Sequence, residues 1–241
     1  MNNLFLLFLF LSSHLFSLSF KNGQQMLLVI AKDWHDTNAI LRTYEKKQEQ
    51  WHLIGKPIKV SLGRTGLAWS HGLHGKTIAT GPQKKEGDGK SPAGIYPITA
   101  IFGLNALNET GPYKMPYLHF SKSMQGVDDP SSQYYNQIVD TEKIEKTWNS
   151  AEMLGSIPAY EYGAVIGFNE NPTCSDSGSC VYIHLWEDRS IPTAGCTAMS
   201  KENLLKVLKW MNSKQNPLIV QLTEQEYKIR FKDWDLPRLN L

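Results

Sequence analysis

From Gln25 onward the chain alternates short runs of branched and aromatic residues with polar, turn-forming stretches, the pattern of strands joined by loops. QMLLVIAKDW (25–34), AILRTYEK (39–46) and WHLIGKPIKVSLG (51–63) predict a β-rich opening. Gly63, Gly66, Gly72, Gly75, Gly81, Gly87, Gly89 and Gly94 then mark a long loop region. GIYPITAIFG (94–103) and PYLHF (116–120) read as strands, and YEYGAVIGFN (160–169) and CVYIHLW (180–186) as buried ones. Within VYIHLW, alternation puts Tyr182, His184 and Trp186 on one face and Ile183 and Leu185 on the other. DTEKIEKTWNSAEML (140–154) has helix-forming composition. The clearest helix is SKENLLKVLKWMN (200–212): Leu204, Val207, Leu208 and Met211 share one stripe, Ser200 suits the N-cap, and Glu202 suits the positive first turn. PLIVQLT (217–223) is a last strand, and the aromatic, charged tail from Tyr227 to Leu241 suits a surface wrap. With no internal repeat or low-complexity linker, this predicts one mainly β domain with a few helices over residues 20–241, extended at its C-terminus from about residue 228.

Residues 4–11, LFLLFLFL, differ in kind, since the first charge is Lys21. The run is short for a spanning helix, and Ser17 and Ser19 stand where a signal peptidase cutting before Phe20 needs small residues. A signal peptide over 1–19, and hence export, is the expectation; an uncleaved anchor or a buried strand are the other readings. The n-region MNN lacks the usual basic residue, and no cysteine follows the apolar run to carry lipid. A net charge of +2 without a block of like charges gives no basic arm, so nucleic acid is not expected as a partner.

Candidate chemistry concentrates in IHLWEDRSIPTAGCTAMS (183–200). A strand whose following loop folds back across its tip brings Cys196 towards His184, and an adjacent imidazole turns a weakly ionised thiol into a nucleophile. Gly195 lets backbone approach a substrate, so N–H groups near Gly195 and Cys196 are candidates for an oxyanion site. The competing reading is a packed cysteine and a satisfied core histidine. No C-x-x-C or H-E-x-x-H supports a metal, and no phosphate-loop motif opens a helix, so no metal or cofactor is expected. Cys174 and Cys180 flank SDSGS and are readily bridged, which would leave Cys196 free; three reduced thiols is the alternative.

EGDGKSPAGIYPI (86–98), preceded by Lys84 and Lys85, resembles the K-x-E-G-D-G-x-T-P-x-G signature of the bacterial L,D-transpeptidase (YkuD-like) family. GRTGLAWS (63–70), VDDPSSQYYNQIVD (127–140), GSCVYIHLW (178–186), PTAGCTAMS (192–200) and LTEQEY (222–227) resemble further blocks of an exported branch in the same order, so the resemblance covers roughly residues 25–227. It implies a β-sandwich-like core with a helix after the catalytic cysteine. It further implies action on peptidoglycan stem peptides in the periplasm or cell wall. Cys196 would expel the terminal D-alanine, His184 would be its base, and Gly195 matches the glycine before the family cysteine. An amine acceptor would give a 3→3 crosslink, and water an L,D-carboxypeptidase. A monomer inhibited by carbapenem-type lactams is the accompanying expectation. The commoner [S/T]-H-G-C-x-[R/N] pattern is altered here, with Ala194 and Ala198 replacing the histidine and the residue two after the cysteine. That departure keeps open a catalytically weak wall-binding protein. Arg189 is a candidate replacement for the lost positive charge, and Thr193, Thr197, Tyr117 and His119 are candidate substrate-binding residues. Asp88 is expected to bond local N–H groups, Lys84, Lys85 and Lys90 to form a solvated charged loop, and Asn108-Glu109-Thr110 fits a glycosylation acceptor with no force in a bacterial protein.

Overall fold

A computed structural model describes residues 25–75, 78, 80–106, 112–170 and 172–240. The expected signal segment and Asn108-Glu109-Thr110 lie outside the described residues. The branched runs form β1 (Gln25–Ala31), β2 (Asn38–Lys47), β3 (Gln50–Ser61), β5 (Ser91–Gly103), β10 (Tyr162–Ile166), β11 (Tyr182–Leu185) and β13 (Leu218–Thr223). Shorter pieces are β4 (Leu67–Trp69) within the glycine-rich loop region, β6 (Tyr117–His119), and β12 (Thr197–Met199) directly after the cysteine.

Among the described residues ten strands share one sheet, and β10 pairs with both β11 and β5. The order β10-β11-β12-β3-β2-β1-β13-β5 therefore returns to β10, and the sandwich-like core is the inside of a closed ring of strands. β1 lies between β2 and β13, and all seven of its residues are buried, which accounts for an unbroken apolar run where a one-faced strand would alternate. α1 (Lys201–Trp210) packs on β10 and β11 and buries Leu204, Val207 and Leu208, and α2 (Glu224–Arg230) packs on β13 and β1. Ser200 takes the N-cap position with extended backbone, although its side chain makes no capping bond.

The helix expected over 140–154 does not form. A small antiparallel sheet of β7 (Met124–Val127), β8 (Ile138–Asp140) and β9 (Ala151–Met153) occupies the region instead. Trp148 is buried and donates its indole N–H to Gln125 Oε1 at 2.9 Å, while Asn149 donates N–H and Nδ2 to Asp129 at 2.7 and 3.0 Å. These long-range contacts outweigh a weak helical preference. In the tail, Trp234 packs against Trp69 and His74, and Lys46 pairs with Asp235 at 2.8 Å.

Candidate active site around Cys196

β11 and β12 run parallel, with Ile183 opposite Thr197 and His184 opposite Ala198. Cys196 therefore lies beside Tyr182 and shares with Tyr182 and His184 the face away from the main core, which takes Ile183 and Leu185. One residue before the paired register, the Tyr182 N–H donates to Cys196 Sγ at 3.3 Å instead of continuing the ladder.

The backbone at the cysteine is held from two sides. The Cys196 carbonyl accepts from Ser91 Oγ at 3.0 Å and from Thr193 Oγ1 at 2.6 Å. Ser91 Oγ also accepts the Gly63 N–H at 2.8 Å, and Thr193 is bracketed by Thr193 N to Leu62 O (2.9 Å) and Arg64 N to Thr193 O (2.8 Å). The EGDGKSP and GRTG segments thus form the seat of the cysteine loop. Gly195 has φ +153°, a conformation that favours glycine, and a Cβ there would lie a tight 3.1 Å from the Lys90 carbonyl. Its N–H is already donated to Thr193 Oγ1 at 3.1 Å, which removes it from the expected oxyanion donors.

Cys196 lines a polar cavity of about 210 Å³ together with Arg64, Lys84, Glu86, Asp128, Glu152 and Cys180. A larger, mostly apolar groove of about 570 Å³ between β3 and α1 offers only Lys56 and Lys206 as charged groups, so the smaller cavity is the candidate site. Lys84 is buried and bonds Asp88 Oδ1 at 2.5 Å and the Lys85 carbonyl at 2.8 Å, in contrast to the solvated loop expected for it. Asp88 also accepts the N–H groups of Lys85 and Lys90 at 2.9 Å each, the architectural use read from the sequence. Glu86 Oε2 accepts from Tyr135 at 2.5 Å and Ser179 at 2.7 Å, tying the same motif to the segment that enters β11.

Tyr160 joins the site from the 3-10 turn Pro158–Glu161. Its ring packs edge-on against His184 and Tyr182, at centroid distances of 5.3 and 5.4 Å, and its hydroxyl donates to Glu152 Oε2 at 3.0 Å. Burial pushes the Cys196 thiol up to about 12, with the Glu152 charge adding, against the Tyr182 amide, the Tyr160 hydroxyl and the Lys84 charge. Burial holds His184 below the ordinary imidazole value. In the neutral ring Nδ1 lies 2.7 Å from the Leu185 carbonyl, which requires Nδ1–H and leaves Nε2 with its lone pair. No hydrogen bond joins His184 to Cys196 in the resting arrangement, where the sulfur contacts the Tyr182 N–H and, at 4.0 Å, the Cys180 carbonyl.

The other predicted positions are placed elsewhere. Arg189 is exposed, its carbonyl accepts Ser61 Oγ at 3.0 Å, and the cations lining the cavity are Arg64 and Lys84. Thr197 is fully buried on the core face and donates to Gln221 Oε1 at 2.6 Å, which keeps it from any substrate. Tyr117 donates to the Asn105 carbonyl at 2.5 Å and His119 Nε2 lies 3.1 Å from the Leu104 carbonyl, both away from the cavity. Thr193 serves its own turn and the cysteine backbone. Cys174, Cys180 and Cys196 are all free, with Cys180 Sγ facing the Val127 carbonyl and Cys174 Sγ the Pro172 carbonyl. Sequence reasoning missed Ser91, Tyr160 and Glu152. A hydroxyl at the Ser91 position of the glycine-rich signature was the available signal for the first, and nothing local marked the other two.

Fold and site together define a class, mainly β domains with a buried thiol at the wall of a polar cavity. The chain belongs to the YkuD family: the model of its L,D-transpeptidase catalytic domain matches residues 35–220. Members of this family act on peptidoglycan stem peptides. No curated protein matches the chain. Among solved structures it is similar to the helical cell shape determining protein Pgp2 from Campylobacter jejuni (15% identity, TM-score 0.42) and to a single-substitution mutant of that protein (15%, 0.41). The chain is covered to 84% in both comparisons and spans about half of the Pgp2 chains, 49% and 48%.

Proposed function

We propose that this protein is an L,D-transpeptidase that cleaves the bond between the third-position diamino acid and the terminal D-alanine of a stem peptide, with Cys196 as nucleophile and His184 as base. The observation that carries the reading is the register of β11 and β12, which turns both side chains to one face, with Cys196 at the wall of a cavity that Arg64 and Lys84 also line. His184 Nε2 takes the thiol proton as Sγ leaves the Tyr182 amide and attacks the carbonyl. The carbon–nitrogen bond then breaks, D-alanine departs with the proton from His184, and a thioester remains on Cys196. An acceptor amine attacks the thioester, gives its proton to His184, and expels the sulfur, forming the 3→3 crosslink. A thiol held near 12 is protonated at rest, so proton removal must accompany attack, and a neutral buried imidazole is suited to it. The reading requires export, for which the apolar run at residues 4–11 is the sequence support.

The test is mass spectrometry of tetrapeptide-stem muropeptides incubated with the wild type or with Cys196→Ala. Release of D-alanine by the wild type alone, with a crosslinked dimer as product, supports the proposal. Tripeptide without dimer would make the acceptor water, and turnover by Cys196→Ala would overturn the thiol mechanism.

A further inference from the structure

We propose that Glu152 is a positioning residue for the nucleophile, deciding through the single proton of the Tyr160 hydroxyl whether Cys196 has a second hydrogen-bond donor. The inference rests on Cys196 being the reactive thiol of the proposed function.

A phenol carries one proton, and the Tyr160 hydroxyl donates it to the Glu152 carboxyl at 3.0 Å, while Cys196 packs in the same cluster as Tyr160 and lines the same cavity as Glu152. The ring cannot swing away. It is packed against His184, Tyr182 and Phe102 at centroid distances of 5.3, 5.4 and 5.6 Å. With Glu152 ionised, the carboxylate keeps the phenol proton, and the sulfur accepts only from the Tyr182 N–H. With Glu152 protonated, the carboxyl O–H donates to the phenol oxygen, and the phenol O–H is released towards the sulfur. A thiolate with two donors and no adjacent carboxylate is more stable than one with a single donor and a negative neighbour.

Glu152 titrates where this exchange matters. Burial pushes it up to about 7; the Tyr160 hydroxyl opposes, and Asp128 and Glu86 add like charge. Lys84 and Arg64 are the cations on the same cavity, and the Cys180 and Cys196 thiols are its remaining titratable neighbours. As pH rises through neutrality the thiolate therefore loses a donor and gains a charged neighbour while its own ionisation becomes easier, and the two trends oppose.

The experiment is alkylation of the full chain by iodoacetamide between about pH 5.5 and about pH 8.5, with each cysteine followed by peptide mass spectrometry. A free thiol's alkylation rate rises about tenfold per pH unit below its pKa, and exposed Cys174 is the internal reference in the same sample. Wild-type Cys196 is expected to rise less than this between about pH 6 and about pH 8, and Glu152→Gln to restore about tenfold per unit because the amide does not ionise. Tyr160→Phe is expected to restore the same steepness at a lower rate. A wild-type slope equal to that of Cys174, or a shallow slope retained in Glu152→Gln, overturns the proposal. A shallow slope retained in Tyr160→Phe assigns the effect to through-space charge and overturns the hydroxyl route. Because the readout is thiol reactivity, inert muropeptides alongside the expected slopes would defeat the transpeptidase reading and leave this one standing.

Discussion

Ser91→Ala combined with Thr193→Val tests how Cys196 is seated. Both hydroxyls donate to the Cys196 carbonyl, so either alone keeps it paired. Ser91 is fully buried, and its removal strands the buried Gly63 N–H, a loss of roughly 1–3 kcal/mol. Thr193 is half-buried, and its replacement frees the Gly195 N–H at a smaller loss of about 0.5–1.5 kcal/mol. In the double variant the carbonyl loses both donors, and the added penalty appears as a coupling of about 1 kcal/mol or more beyond the sum of the singles. Urea unfolding followed by tryptophan fluorescence measures all four proteins, with unchanged m-values as the control on the denatured state. Cys196 alkylation should change most in the double variant. Additivity within about 0.5 kcal/mol would refute the shared-acceptor argument.

Gly195→Ala should lose cysteine reactivity and stability together, by about 1–3 kcal/mol, because both φ and the Lys90 carbonyl resist a Cβ; urea unfolding and alkylation report the two effects. Asp129 is held down to about 2 by the Ser131 hydroxyl and by N–H donors of Asn149 and Ser131, so its contribution is complete above the unfolded carboxyl value near 4 and lost as pH falls through about 2. Asp129→Asn should therefore be less stable than wild type at neutral pH, with the difference shrinking in acid denaturation curves over that window. Glu152 has the opposite sign: its folded value, raised to about 7, gives stability below the unfolded value near 4.5 that disappears as pH rises through about 7. Glu152→Gln should accordingly gain on wild type in thermal melts above neutrality.

The strands and the shared facing of His184 and Cys196 were readable because both rest on local periodicity. QMLLVIA announces a strand buried on both faces, and V-Y-I-H-L-W already separates His184 from the core-facing Ile183 and Leu185. The helix expected at 140–154 failed because Trp148 and Asn149 satisfy themselves on Gln125 and Asp129, partners about 20 residues distant that no window reveals. The strand after the cysteine, three residues long, is too short to show a period. The support of the site was the least readable part. Ser91 lies 105 residues from Cys196, Tyr160 joins the site only once the 3-10 turn Pro158–Glu161 packs on β11, and Glu152 only once β9 pairs with β7. Nearness in the chain makes Arg189 a candidate, whereas Arg64 reaches the cavity through a loop placed by Thr193.

Ring closure also has a consequence in time. β13 fills the gap between β1 and β5, with Met26 opposite Leu218 and Ile95 opposite Val220, so among the described residues the first strand pairs with the last. A chain made from its N-terminus emerges with β1 and β2 able to pair, yet the ring cannot shut until residue 223 is available. Pairings that join distant parts of a chain form late and slowly. Every nascent form short of that residue is an open sheet with unpaired edges, the kind of template on which aggregation starts.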